Sequence, residues 1–297
     1  MPTFKSSYSI TNDYRHWYLD TSALRHLGKK LRSKGFSEYS YTSSLALIEL
    51  LADIDKSERE YQVRRAPFIS ILNSEIAIDW AMHDNIQRAA FSLPDVYPFP
   101  DERVQSLVAM ILAAVRSDSL ENFLVITSKL PLKHDLLSFK EFDERASKGW
   151  AESGADGAKQ FNTAYSSPST DELKLLLGLP VESKKSDLVT ALTTSVYNTS
   201  LTRLALTESF CEDLNISDLK AQESVYNAYD GSIDAYIEAF SIRSMSSMGG
   251  QSSERNDGID VLHFLYIKPN TTLVTLDKKL KSLAHALGVT CVFLTTA

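Results

Sequence analysis

"NDGIDVLHFLYIKPNTTLVTLDKKL", residues 256–280, decides how this chain folds. Asp257, beside Asn256 and Gly258, stands at the start of an apolar helix over 258–267. "TTLVTL" (271–276) is a short β-branched strand, and Asp277 stands where it ends. An amphipathic helix, "KKLKSLAHALG" (278–288), follows and is stopped by Gly288. "VTCVFLTT" (289–296) then reads as a further strand. Strands alternating with helices imply parallel pairing under helical cover. The aspartates have two readings at this point: helix caps and turn starters, or carboxylates that converge on a metal ion.

The N-terminus carries the same pattern. "RHWYLD" (15–20) is an apolar-aromatic run ending in Asp20. "TSALRHLGKKLRSKG" (21–35) has Leu24, Leu27 and Leu31 at helical spacing, with Gly35 placed to stop it. "EYSYT" (38–42) reads as a strand and "SSLALIELLADI" (43–54) as an apolar helix capped by serine. Right-handed crossovers would place the strands from both ends in one sheet. The expected fold class is therefore α/β, with a central parallel sheet. Residues 1–55 and 250–297 would form the core, and 56–249 a large, mostly helical insertion packed on or beside it. Within that insertion, 103–117, 171–179 and 186–214 have helical periodicity and 93–102 is a Pro-rich connector. The Ser/Gly-rich loop at 244–258 is the expected flexible segment. No internal repeat is found.

Bulk properties exclude several classes. The chain has 297 residues, 43% of them hydrophobic, enough for a substantial core. No apolar run is long enough to span a membrane, and the first 20 residues lack the apolar core of a signal peptide. Two cysteines, Cys211 and Cys291, do not make a disulfide framework, so the expected compartment is the cytoplasm. Cys291 reads as a buried strand residue. The formal charge of -7 argues against a surface that grips nucleic acid everywhere, though not against a local basic patch.

The carboxylates need separate treatment. Asp20 ends a strand and opens a helix, so it is a cap or a functional group beyond a strand's carboxyl end. Glu49 sits in "LALIELLA", where an unpaired charge would be costly, so it needs a cation, a basic partner or a raised pKa. Asp53, one turn on, should face solvent. Asp257 and Asp260 share a helix face at i and i+3, and His263 reads as a packed helix residue. Asp20, Glu49, Asp260 and Asp277 come from four elements of the inferred sheet, and mutual repulsion of such a group would be relieved by a hard divalent cation. Motifs for serine hydrolases, P-loops, zincins and paired-cysteine sites are missing from the sequence. "LDTSAL" has Ser22 where a dehalogenase-like phosphatase would have its second acid.

On four segments the chain resembles the PIN-domain nucleases: "YLDTSAL" (18–24), "YTSSLALIELL" (41–51), "DVLHFLYI" (260–267) and "LVTLDKKL" (273–280). The resemblance covers the two ends and leaves the helical middle unaccounted for. Compact members of that family are about half this length, and Asp257 could replace or assist Asp260. The resemblance implies a three-layer α/β/α domain and hydrolysis of phosphodiesters, most often in RNA, by an endoribonuclease-like enzyme. It also implies Asp20, Glu49, Asp260 and Asp277 as catalytic ligands of Mg²⁺ or Mn²⁺. Ser22 and Thr275 would donate hydrogen bonds to a ligating carboxylate or water. The basic run holding Arg25, Lys29, Lys30, Arg32 and Lys34 would hold phosphates, or else be a solvated helix face. Nucleic acid, an inhibitory protein or a second copy are the partners implied, with no membrane. The competing expectation is a catalytically silent scaffold of the same fold that binds a protein through its helical insertion.

Overall fold

The computed structural model describes residues 6–7, 16–33, 35–96, 101–145, 159, 163, 168–193, 196–248 and 257–295. They divide into two compact units. The first takes 1–86, 95–144 and 265–297, and the second takes 87–94 and 145–264.

The first unit is built on a parallel sheet of β1 (Ser6–Ser7), β2 (Trp17–Leu19), β3 (Ser40–Ser43), β4 (Ala77–Asp79), β5 (Thr272–Thr275) and β6 (Cys291–Phe293). Their order across the sheet is β1-β4-β3-β2-β5-β6, and every pairing is parallel. The two ends of the chain thus share one sheet, and the fold is α/β, compatible with three layers. β4 falls inside the segment assigned from sequence to the helical insertion. "AID" is too short to show a period, yet its side chains are all buried.

Alternation along the strands sorts the two faces. Leu19, Ile78 and Val274 join a large apolar core with residues of α1 (Thr21–Leu27), α2 (Ser44–Ala52), α3 (Glu58–Leu72), α5 (Glu102–Arg116) and α6 (Leu120–Thr127). Between α3 and α5 lies α4 (His83–Ala90). The opposite face carries tyrosines: Tyr18 lies 5.3 Å from Tyr41 and stacks on Tyr266 at 6.4 Å between centroids. Each buried hydroxyl is satisfied. Tyr18 bonds to Ser43 Oγ (2.8 Å), Tyr41 donates to the Tyr266 carbonyl (2.7 Å), and Tyr266 donates to the Ala81 carbonyl (2.9 Å). Burial raises the pKa of all three phenols.

Local chemistry shifts several expected boundaries. The helix after Asp20 ends at Gly28, not Gly35: Gly28 has φ +48, and the chain tightens into a 3₁₀ turn over Gly28–Arg32. The helix expected over 258–267 is α-helical only for Asp257–Leu262, with a 3₁₀ turn at His263–Leu265. The periodic stretch 186–214 contains two helices, Lys185–Thr193 and Val196–Asp213. Gly288 has φ +67, beyond the helix Lys278–Ala286. Asp53 does not simply face solvent, since it pairs with Lys56 (2.7 Å) and Arg64 (3.0 Å). Residues 97–100 of the connector and 249–256 of the Ser/Gly loop lie outside the described residues.

Arg64 fastens α2 to α3. Its side chain is nearly buried, donating to the carbonyls of Glu49 (2.7 Å) and Leu50 (3.5 Å) and pairing with Asp53 and with Glu60 (3.2 Å). These carbonyls lie in the last turn of α2, where no intrahelical donor remains. Arg64→Met is expected to lower unfolding free energy by about 2–4 kcal/mol in urea titration at unchanged m-value. Arg64→Lys should recover less than half, since an ammonium lacks the planar fork.

His83, at the start of α4, lies 4.9 Å from the Phe142 ring, and burial lowers its pKa despite Asp84 beside it. Its unfolded form binds the proton more readily, so stability rises with pH across the window up to about 6.5 and is lost below it. The melting-temperature drop between pH 7.5 and 5.5 is expected to shrink in His83→Gln.

Candidate functional site

The order of the sheet creates one distinguished place. From β2 the chain proceeds outward through β3 to β4, whereas from β5 it proceeds to β6 in the opposite direction. The connections leaving β2 and β5 therefore diverge, which makes the carboxyl ends of these two neighbours the topological switch point, the place where ligands bind in open parallel sheets. Asp20 follows β2 directly and Asp277 lies two residues beyond β5.

Asp20 has extended backbone (φ -76, ψ 176) and caps α1, its Oδ1 accepting from the Ala23 amide at 2.7 Å. Asp277 caps the helix Lys278–Ala286, accepting from the amides of Lys279 (2.7 Å) and Leu280 (3.0 Å). Both are caps, as the simpler sequence reading has it. Asp20 does more than a surface cap requires, because it is only 3% exposed.

Two hydroxyls lock the two strand ends together. Thr275 donates to Asp20 Oδ2 at 2.6 Å and accepts from the Asp277 amide at 2.8 Å. Ser22 lies 2.9 Å from each Asp20 oxygen and accepts from the Leu276 amide at 2.8 Å. Ser22 and Thr275 hydroxyls are themselves 3.2 Å apart. The loop after β2 thus holds the loop after β5, and the reverse.

Glu49 is half-buried on α2, where the Thr21 hydroxyl donates to its Oε2. As Thr21 is the first residue of α1, Glu49 reaches the element that Asp20 caps. Asp257 and Asp260 lie in the second unit, both buried on the helix Asp257–Leu262, with His263 buried just beyond. Arg25, Lys29, Lys30 and Arg32 are exposed on α1 and its 3₁₀ extension, with Arg25 loosely paired to Glu60 at 3.8 Å. Lys34 lies outside the described residues. Among the described residues, no group of three or more histidine, cysteine, aspartate or glutamate side chains is placed to hold a metal ion.

Sequence reasoning missed Asp79. Registers Tyr18↔Tyr41, Ser43↔Asp79 and Leu19↔Val274 align Asp79, Ser43, Asp20 and Thr275 in one transverse row on the tyrosine face of the sheet. Asp79 is 2% exposed. Burial raises its pKa against the opposing pull of Lys268, whose Nζ lies 3.4 Å away. The signal was "AID" before Trp80, a third apolar strand ending in aspartate, but with no hydroxyl residue after it. The lysines behind Asp277 were also passed over: Lys278 and Lys281 are exposed on the helix it caps. Cys291 is half-buried in β6, with its thiol pKa raised by burial. That suits a structural residue better than a nucleophile.

In comparison with known proteins, no family model, no curated protein and no solved structure matches the chain.

The cap and the clamp can be separated by substitution. Asparagine caps as well as aspartate but has one acceptor oxygen where Asp20 takes donors on both, so Asp20→Asn is expected to keep the helix start and lower unfolding free energy by about 1–3 kcal/mol. Thr275→Val strands the Asp277 amide and removes a donor from Asp20, and should cost about 1–3 kcal/mol. A double-mutant cycle of Ser22→Ala with Thr275→Val, read by chemical denaturation, should show coupling above about 0.5 kcal/mol.

Proposed function

We propose that this chain is a metal-dependent phosphodiester hydrolase acting on RNA, as its resemblance to PIN-domain nucleases implies, with Asp20 and Asp277 at the centre of its site. One observation carries the reading. Two aspartates from adjacent parallel strands stand at the topological switch point, and two hydroxyls clamp their loops in place. A plain pair of helix caps would not need the buried cross-strand donors.

The donor chemistry fits a hard cation. Mg²⁺ commonly takes only one or two protein carboxylates and keeps several waters, so Asp20 and Asp277 suffice as a minimal set. Glu49 and Asp260 are the further carboxylates named by the resemblance. A bound Mg²⁺ or Mn²⁺ would supply an activated water and neutralise charge on the phosphoryl oxygens. The chain's own residues prepare for this. Ser22, Thr275 and the Ala23 amide hold the Asp20 carboxylate in one orientation. Arg25, Lys29, Lys30 and Arg32 offer the local positive charge that an acidic chain needs to draw in a polyanion.

The test is cleavage of a panel of single-stranded and structured RNA and DNA with Mg²⁺ or Mn²⁺. Asp20→Asn and Asp277→Asn should each lose about 100-fold or more in rate while remaining folded. Asp260→Asn reports separately on the fourth carboxylate. Added Mn²⁺ should raise the melting temperature of the parent and not of Asp20→Asn. Absence of both cleavage and a metal-dependent shift, or cleavage indifferent to the two substitutions, would overturn the reading.

A further inference from the structure

The second unit carries a surface feature that the hydrolase reading does not use. Helix Val196–Asp213 and helix Leu219–Asn227 pack against one another and leave an open groove of about 460 Å³. Its walls are mainly apolar, with Leu201 and Leu204 on the first helix and Leu219 and Tyr226 on the second. Leu201 is 44% exposed, Leu204 43% and Leu219 79%. These leucines are not scattered singly, as surface apolar residues usually are. Positions 201, 204 and 208 fall on one helix face, as do 219, 223 and 226.

Among the described residues, the charged ones lining the groove are Glu208 and Glu223, both exposed. The arginine nearest in sequence does not offset them. Arg203 lies over Tyr226, 3.7 Å from its ring centroid, and 5.5 Å from that of Tyr229. It props the Tyr226 wall, and Lys220 is not among the lining residues. Among the described residues the groove is thus apolar with two acids and no lining cation.

That combination selects among occupants. Nucleic acid and fatty-acid carboxylates are repelled by both glutamates. A second copy docking groove to groove by two-fold symmetry would set the same glutamates against each other. An amphipathic helix satisfies both features, with leucine-sized anchors at i, i+3 or i+4 and i+7 and lysine or arginine at its flanks. The 201–208 wall spans about 10 Å of helix, long enough for two turns of such a partner.

We propose that this groove is a docking site for a cationic amphipathic helix of a partner protein, with Leu201, Leu204 and Leu219 receiving its apolar face and Glu208 and Glu223 its basic flank. The site lies within the second unit and stands whether or not the hydrolase reading holds.

The test uses the full chain and two fluorescein-labelled peptides of about 15 residues, one of leucine and lysine in amphipathic register, the other with glutamate for lysine. Anisotropy should show saturable binding of the lysine peptide, weaker at high salt, and none of the glutamate peptide. Leu204→Ser with Leu219→Ser should weaken binding by about tenfold or more. Glu208→Lys with Glu223→Lys should reverse the preference between peptides. All four positions are exposed, so the fold should survive, which circular dichroism checks. Failure of the lysine peptide to saturate, equal binding of both peptides, or binding untouched by the leucine changes would overturn the proposal. So would a dimer, seen by light scattering, that the leucine changes dissolve.

Discussion

The first unit depends on the pairing of β2 with β5. These strands lie side by side although 255 residues separate Asp20 from its partner Thr275. Closing so long a loop costs only slowly increasing entropy, but the contact cannot form early by chance, and such parallel pairings fold slowly. The hydrogen bonds among Ser22, Asp20, Leu276, Thr275 and Asp277 reward that closure where the chain needs it, at the strand ends. Register then follows: with Leu19 opposite Val274, the tyrosine face and the apolar face cannot be exchanged without burying the wrong side chains.

The same interaction explains why three aspartates at three strand ends differ in character. Asp79 and Asp20 lie in one row with Ser43 between them. Asp79 meets Lys268 and a buried setting that pushes its carboxyl towards the neutral form. Asp20 meets a helix N-terminus and two hydroxyls, which fix its orientation. Asp277 is half-exposed and held by its own helix. A parallel sheet with several helices starting at one edge therefore makes a graded set of carboxylates out of one recurring local pattern.

The two units also use acidity differently. In the first, the carboxylates at the ends of β2 and β5 are held by amide and hydroxyl donors. In the second, Glu208 and Glu223 stand exposed beside apolar walls, an arrangement suited to a basic amphipathic surface. No helix among the described residues is long and apolar enough to cross a membrane.

The sequence by itself determined the α/β class, the parallel strands at both ends and the positions of Asp20 and Asp277. Each of these rests on a local period, a cap or a turn residue that a short window contains. Tertiary structure alone decided the rest. β4 is three residues long in a segment whose neighbours read as helices, and its place as a strand comes from pairing with β3 and β1. Gly28 rather than Gly35 ends the first helix although both glycines take positive φ, because the packed chain decides at which of the two the helix stops. The clamp between Ser22 and Thr275 was unreadable as a contact, since nothing local encodes which strands become neighbours. Asp79 entered the row with Asp20 for the same reason: register across a parallel sheet is a property of the assembled layers, not of any one strand.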